Sequence, residues 1–254
     1  MRLFWIALAC VLSLTARANV PLTEALGNGP PIPAAPQLQA TGYLLIDATN
    51  GEVLVEQNAD QPLPPASLTK MMTAYIAERE IAEGRISFDD KVPVSIKAWK
   101  TGGSRMFIRE GTEVRLEDLL RGIVIQSGND ASVAVAEYIA GSEDVFADVM
   151  NQTAVSLGMT NTQFKNSTGL PQEGHYTTAK DLGILAARTI ADFPETYAIY
   201  KEKNFTYNGI KQANRNSLLF RDPSVDGLKT GTELQINASI RINNIISSCR
   251  LLSG

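Results

Sequence analysis

Histidine occurs once and cysteine only twice in this chain of 254 residues. A zinc centre built from those side chains needs three or four of them, so none is expected here. Cys10 falls inside an apolar run, Leu3 to Leu14, between Arg2 and the small-residue pattern Ala16-Arg17-Ala18. Together these features make an export leader over 1–18, cleaved after Ala18. Its removal leaves Cys249 as the remaining thiol, so no intrachain disulfide is expected. Ala7 three residues before Cys10, and the apolar run continuing past it, argue against a lipoprotein anchor there. The run is also too short for a membrane span. Basic tracts are missing and the formal net charge is -4, which gives no support to nucleic acid as a partner.

Residues 19–41 are rich in Pro, Ala and Gly and read as a linker. Two apolar runs, Tyr43 to Asp47 and Glu52 to Glu56, flank Asn50-Gly51, a hairpin signal with primed-turn chemistry. A helix is expected over Ser67 to Glu83, with Leu68, Met71, Met72, Tyr75 and Ile76 at helical spacing and its methionines in the core. Asp89 to Thr112 reads as a long irregular stretch bordering a site. Helices are expected over Leu116 to Ile125, Ala131 to Ala140, Asp144 to Leu157 and Ala179 to Ile190. A second hairpin is centred on Asn208-Gly209, and a last strand is expected to hold Lys229. Strands at both ends with helices between suggest a sheet built from both termini and an inserted helical lobe.

Three short motifs follow one another along this frame: Ser67-Leu68-Thr69-Lys70, Ser127-Gly128-Asn129 and Lys229-Thr230-Gly231. A lone Ser-x-x-Lys arises about once by chance in a chain of this size, and Lys-Thr-Gly in roughly one chain in twenty. Singly, each has a plain reading as a helix cap, a turn or an exposed strand edge. Their order and flanks carry the weight. Ser67 and Lys70, three apart on a helix, share a face. A serine hydroxyl becomes a nucleophile when a base removes its proton, and a lysine serves once burial or a neighbouring cation lowers its pKa. Lys229 is the natural neighbouring cation. Ser67 at a helix N-terminus offers its backbone N–H to an oxyanion. His175 lies in the polar run Gly174 to Thr178 before a helix, where a loop or capping role suits it. A Ser-His-Asp arrangement is possible in principle, but the lysine leaves it no necessary job.

With the flanking words Pro65 to Thr73, Gln126 to Ala131 and Val225 to Gly231, the chain resembles the low-molecular-mass penicillin-binding proteins, specifically the D-alanyl-D-alanine carboxypeptidases, from about Gly42 to Gly231. The resemblance implies an α/β chain of the α+β type with the β-lactamase/DD-peptidase fold, its peptidase domain over 42–231. It implies that Ser67 attacks the penultimate D-alanine of a peptidoglycan stem peptide. Ser127, with Lys70, would then pass a proton to the leaving amine. Asn129 would hold the substrate amide, and Lys229 with Thr230 the terminal carboxylate. An N–H just after Gly231 would complete the oxyanion site. β-Lactam antibiotics are implied as inhibitors, no cofactor is required, and the location implied is periplasmic.

After Gly231 the resemblance breaks. Thr232 to Gly254 reads as an aberrant tail, leaving the sheet incomplete at the C-terminus and without the family's carboxylate-binding arginine or amphipathic membrane anchor. A frameshift or truncation is the expectation; sequencing of the locus would sink it if no family-like continuation lies in another frame. Within the tail Ile236, Ala238, Ile240 and Ile242 alternate with polar residues, a pattern for a strand beside Lys229, and Arg241 could replace the missing arginine. The alternative readings are a class A-like β-lactamase and a vestigial, non-catalytic peptidoglycan-binding chain. Against the first, Gly128 stands where such enzymes carry aspartate, and no Glu-x-x-x-Asn pattern lies between Asn129 and Lys229.

Overall fold

The computed structural model describes residues 38, 40–231, 240–242 and 245–247. The segment expected to be a leader, most of the expected linker, both cysteines and most of residues 232–254 lie outside these residues. Strands β1 (Tyr43–Asp47) and β2 (Val53–Gln57) form the first hairpin, paired from Tyr43↔Gln57 to Ile46↔Val53. The Ser67–Lys70 motif follows as one 3-10 turn, Ala66–Leu68, running into helix α1 (Thr69–Ala82). Every residue of α1 from Thr69 to Glu78 is buried, including Met71 and Met72, as a helix apolar on most of its faces requires.

The stretch expected to be irregular holds strand β3 (Lys91–Pro93) and helix α2 (Ile96–Lys100), whose N-cap Ser95 accepts from the Ala98 N–H at 3.0 Å. Strand β4 (Glu113–Arg115) closes back on β3. Only the segment between α2 and β4 keeps the expected irregularity. Helix α3 (Leu116–Arg121) was expected to continue to Ile125, but it widens into a π-turn over Gly122–Gln126 and stops at Ser127. The widening sits where Gly122 faces the Met106 sulfur so closely that a Cβ would collide with it. Helices α4 (Asn129–Ala140), α5 (Glu143–Leu157) and α6 (Ala179–Asp192) complete the helical cluster. Ser142 and Thr178 cap α5 and α6 by accepting from the Val145 and Asp181 N–H groups, each such cap contributing about 1 kcal/mol.

Strands β5 (Asn204–Tyr207) and β6 (Ile210–Ala213) form the second hairpin. Asn208 and Gly209 both have positive φ, 48° and 74°, the primed geometry expected of that pair. The first hairpin departs from expectation. At its turn only Gly51 has positive φ, while the side chains of Asp47 and Asn50 accept from the Thr49 and Glu52 N–H groups and build a longer loop.

The sheet is drawn from both ends of the described chain. Strands β7 (Ile240–Ile242) and β8 (Ile245–Ser247) form a hairpin, and β8 pairs antiparallel with β1 through Leu45↔Ser247, Ile46↔Ile246 and Asp47↔Ile245. The sheet order is therefore β2-β1-β8-β7. Two expectations are corrected. Lys229 lies in irregular backbone rather than in a strand, and the alternating tail segment pairs with β8 rather than beside Lys229. The free edge of β1 is filled by β8, and among the described residues β7 bonds to β8 alone.

Candidate active site

The tight turn that opens α1 places Ser67 one helical turn before Lys70, and the Lys70 Nζ lies 3.3 Å from the Ser67 Oγ. Ala66, just before the serine, is held at φ 45°, a left-handed geometry that costs a non-glycine residue about 1–2 kcal/mol. Lys70 is fully buried, and its Nζ donates to the Thr168 carbonyl at 2.5 Å. The loop carrying that carbonyl is built for the task. Thr73 Oγ1 donates to the Ser167 carbonyl at 2.7 Å, and Glu143 Oε1 accepts from both the N–H and the hydroxyl of Ser167. Burial pushes the Glu143 carboxyl up, but the bonds from Lys97 and Ser167 outweigh it and hold its pKa below the usual range. Gly169 packs so tightly on the nucleophile's turn that a Cβ there would collide with the Ala66 carbonyl oxygen.

Ser127 ends the π-turn in the left-handed region, φ 63° and ψ 36°. It is 2% exposed, and its Oγ has no hydrogen-bond partner among the described residues. A buried hydroxyl left unbonded costs about 1–3 kcal/mol, so it calls for a reason beyond folding. Asn129 opens α4 with its backbone N–H on the Ser104 carbonyl and its amide on the Gly102 carbonyl, both at 2.7 Å. Its neighbour Asp130, fully buried, accepts from the N–H groups of Met106, Phe107 and Ile108 at 3.0, 2.9 and 3.2 Å. The irregular segment thus borders the second motif because that motif's own side chains hold it there.

The third motif approaches through Arg215 and Asn216. Arg215 donates from Nε to the Gln126 carbonyl at 2.9 Å, and Asn216 donates to the Gly227 carbonyl at 2.8 Å. Lys229 is 2% exposed and donates to the Thr230 carbonyl at 3.0 Å. Burial, and then the charge of Arg215, pull its pKa down to about 7. The first motif is joined by a direct contact. Arg215 links the second and third, bonding to the Gln126 carbonyl beside Ser127 while its charge acts on Lys229. Gly231 is buried and Thr230 half-buried; residue 232, which would carry the expected second oxyanion N–H, lies outside the described residues.

His175 is no part of this machinery. Its Nδ1 accepts from the Lys165 N–H at 3.1 Å, which leaves the Nε2 proton for the Thr69 Oγ1 at 2.8 Å. Burial, and then the charge of Lys165, hold its pKa down to about 4, so the ring is a neutral brace between two loops and α1. A second buried acid, Glu78, lies two turns beyond Lys70. Burial pushes it up to about 8, the neighbouring Tyr200 hydroxyl easing it only in part; among the described residues neither Glu78 Oε2 nor Tyr200 Oη completes a bond of good geometry.

Reading the sequence missed Thr168, Asp130, Arg215 and Glu143. Asp130 and Arg215 sit in the polar words Gly128-Asn129-Asp130 and Asn214-Arg215-Asn216, which could have flagged them. Thr168 acts through a carbonyl that any residue would supply.

A family model described as D-alanyl-D-alanine carboxypeptidase matches residues 30–249, so the match runs past Gly231 into the tail. The D-alanyl-D-alanine carboxypeptidase DacA of Escherichia coli (strain K12) is 46% identical over 207 residues, 79% of this chain and 51% of that protein. The D-alanyl-D-alanine carboxypeptidase DacD from Francisella tularensis superposes with a TM-score of 0.85 at 32% identity, covering 92% of this chain and 71% of that one. Penicillin binding protein 5 from Haemophilus influenzae does so at 0.81 and 40%, covering 87% and 67%. The chain thus spans about half the length of the Escherichia coli relative it matches.

Proposed function

The chain belongs to the D-alanyl-D-alanine carboxypeptidase family, and on that premise we propose that it removes the terminal D-alanine of peptidoglycan stem peptides by serine acyl transfer. The observation that carries the reading is the 3.3 Å contact between Ser67 Oγ and Lys70 Nζ, with the lysine anchored on the Thr168 carbonyl.

In the reaction, Lys70 takes the Ser67 proton as Oγ adds to the penultimate carbonyl. The N–H of Ser67 faces the developing oxyanion. Collapse of the intermediate expels D-alanine as its amine accepts a proton from Lys70 by way of Ser127. That gives the Ser127 hydroxyl a partner it lacks among the described residues. Asn129 holds the substrate amide, while Lys229 and Thr230 hold the terminal carboxylate. Water, deprotonated by Lys70, then cleaves the ester and restores Ser67. Similarity to penicillin binding protein 5 supports β-lactams as acylating inhibitors of the same serine. The same reading assigns 42–231 to the peptidase domain, behind an export leader at 1–18 and a linker at 19–41, with action outside the cytoplasm.

The test is incubation of the full chain with a labelled penicillin, location of the adduct by mass spectrometry, and measurement of D-alanine release, with Ser67→Ala as control. A stoichiometric, long-lived adduct on Ser67 with D-alanine release is expected. Fast penicillin turnover would replace the reading with a β-lactamase. A folded chain that binds stem peptide but gives neither adduct nor D-alanine would replace it with a non-catalytic binder.

A further inference from the structure

Glu143 joins two segments that the reaction uses separately. It is the first residue of α5, 8% exposed, and its two carboxylate oxygens face different partners. Oε1 accepts from the Ser167 N–H at 3.0 Å and from the Ser167 hydroxyl at 2.7 Å. Oε2 pairs with the Lys97 Nζ at 2.9 Å. A place in the first turn of a helix favours the charged form that both sides need.

On the first side, Ser167 is fully buried and all of its polar groups are engaged. Glu143 accepts from its N–H and its hydroxyl, and the Thr73 hydroxyl donates to its carbonyl at 2.7 Å. The next carbonyl along the chain, that of Thr168, is the one that meets Lys70 Nζ. Ser167 has no freedom to turn, and the acceptor of the lysine inherits its position. On the second side, Lys97 lies in α2, and its carbonyl accepts from the Thr101 hydroxyl at 2.7 Å, which ties the helix to the chain entering Gly102. Gly102 and Ser104 supply the two carbonyls that hold Asn129. Gly103, between them, sits so close that a Cβ would lie 2.6 Å from Asn129 Nδ2. A displacement of α2 is therefore felt at Asn129. Ser95 Oγ, donating to Glu137 Oε2 at 2.6 Å, gives α2 a second tie, so loss of the Lys97 pair loosens the helix without freeing it.

We propose that Glu143 is a positioning residue with two separable arms: through Ser167 it sets Lys70 for the chemical step, and through Lys97 it sets Asn129 for binding the substrate amide. The inference rests on the peptidase reading.

The arms are separated by three variants of the full chain: Glu143→Ala cuts both, while Glu143→Gln and Lys97→Met cut only the ion pair, because glutamine still offers Ser167 an oxygen. The probe is diacetyl-L-lysyl-D-alanyl-D-alanine, read as D-alanine release. Glu143→Ala should lower kcat about tenfold or more, the scale of a misplaced catalytic group, and raise KM. Glu143→Gln and Lys97→Met should keep kcat and raise KM about threefold, the scale of one partly exposed ion pair. Should Glu143→Ala fail to fold, Ser167→Ala replaces it, losing one hydrogen bond of that arm; kcat should fall about threefold with KM unchanged. Amide hydrogen exchange reads the same arms without turnover. The Ser167 N–H should exchange faster in Glu143→Ala alone, and the Asn129 N–H faster in all three variants. A Glu143→Ala chain that loses stability but keeps both kinetic constants would overturn the proposal, as would a Lys97→Met chain with unchanged KM and Asn129 exchange. The expected exchange pattern without release by the wild type would support the two arms and remove the peptidase. Release by the wild type with exchange unchanged in the variants would do the reverse, and neither release nor altered exchange would remove both.

Discussion

Replacing Glu78 by glutamine should make the protein more stable, and by an amount that depends on pH in a defined way. Glu78 is 2% exposed within α1, and burial raises its pKa from 4.5 to about 8. Its folded pKa is thus raised above the unfolded one. Between those two values the folded chain keeps a proton that the unfolded chain releases, so this group's contribution to stability is fully present below pH 4.5 and is lost as pH rises toward 8. Each pH unit in that window is worth about 1.4 kcal/mol. The loss is about 3 kcal/mol at neutral pH and about 5 kcal/mol once the window has been crossed. Glutamine keeps the shape, cannot ionise, and offers the Tyr200 hydroxyl either a donor or an acceptor. Urea unfolding of wild type and Glu78→Gln, followed by circular dichroism at pH 4.5, 7 and 9, gives the difference directly. Other titrating groups are common to both proteins and cancel unless they couple to this site. The variant should gain nothing at pH 4.5, about 3 kcal/mol at pH 7 and about 5 kcal/mol at pH 9. A difference that stays flat across the three pH values would refute the reasoning, whatever its size.

Lys229, pulled down to about 7, carries its charge below that pH and loses it above. KM for a peptide ending in a carboxylate should therefore rise up to about fivefold between pH 7 and pH 8, and Lys229→Gln should flatten that profile at the higher value. Gly169→Ala would drive a methyl into the Ala66 carbonyl and force a left-handed φ of 84° on alanine. Differential scanning calorimetry should show a loss of about 2 kcal/mol or more, and penicillin acylation of Ser67 should slow at least about tenfold. Asp130→Asn would leave one oxygen where two now accept from three N–H groups of the segment at 106–108. A loss of about 2–4 kcal/mol is expected, with faster amide exchange confined to that segment, and unchanged protection there would sink the assignment.

What could be read from the sequence was local. Helical spacing placed α4, α5 and α6 to within about two residues, and the primed turn at Asn208-Gly209 formed as its chemistry dictates. The contact of Ser67 with Lys70 was legible because residues three apart on a helix share a face. The remaining pieces depend on partners remote in sequence. Lys70 finds its acceptor 98 residues away, and that acceptor is a carbonyl, which no residue type announces. The Asn50-Gly51 signal marked the hairpin, but Asp47 and Asn50 gave the backbone other bonds in place of a primed turn, and the helix expected to Ile125 changed to a π-turn at Gly122. Lys229 was expected in a last strand but lies in irregular backbone, while β1 takes its second neighbour from Ile245–Ser247.

That last pairing bears on the order in which the molecule assembles. Ile46 meets Ile246 across the ladder, two hundred residues further along the chain. The helices, made of near neighbours in sequence, can collapse quickly, whereas this contact must first close a loop that encompasses nearly the whole described chain. The sheet is the last part to close, and until it does β1 presents an unpaired edge to any other chain nearby. The speed of folding, and the hazard of associating during it, are thus set at the sheet and not at the helices that carry the serine.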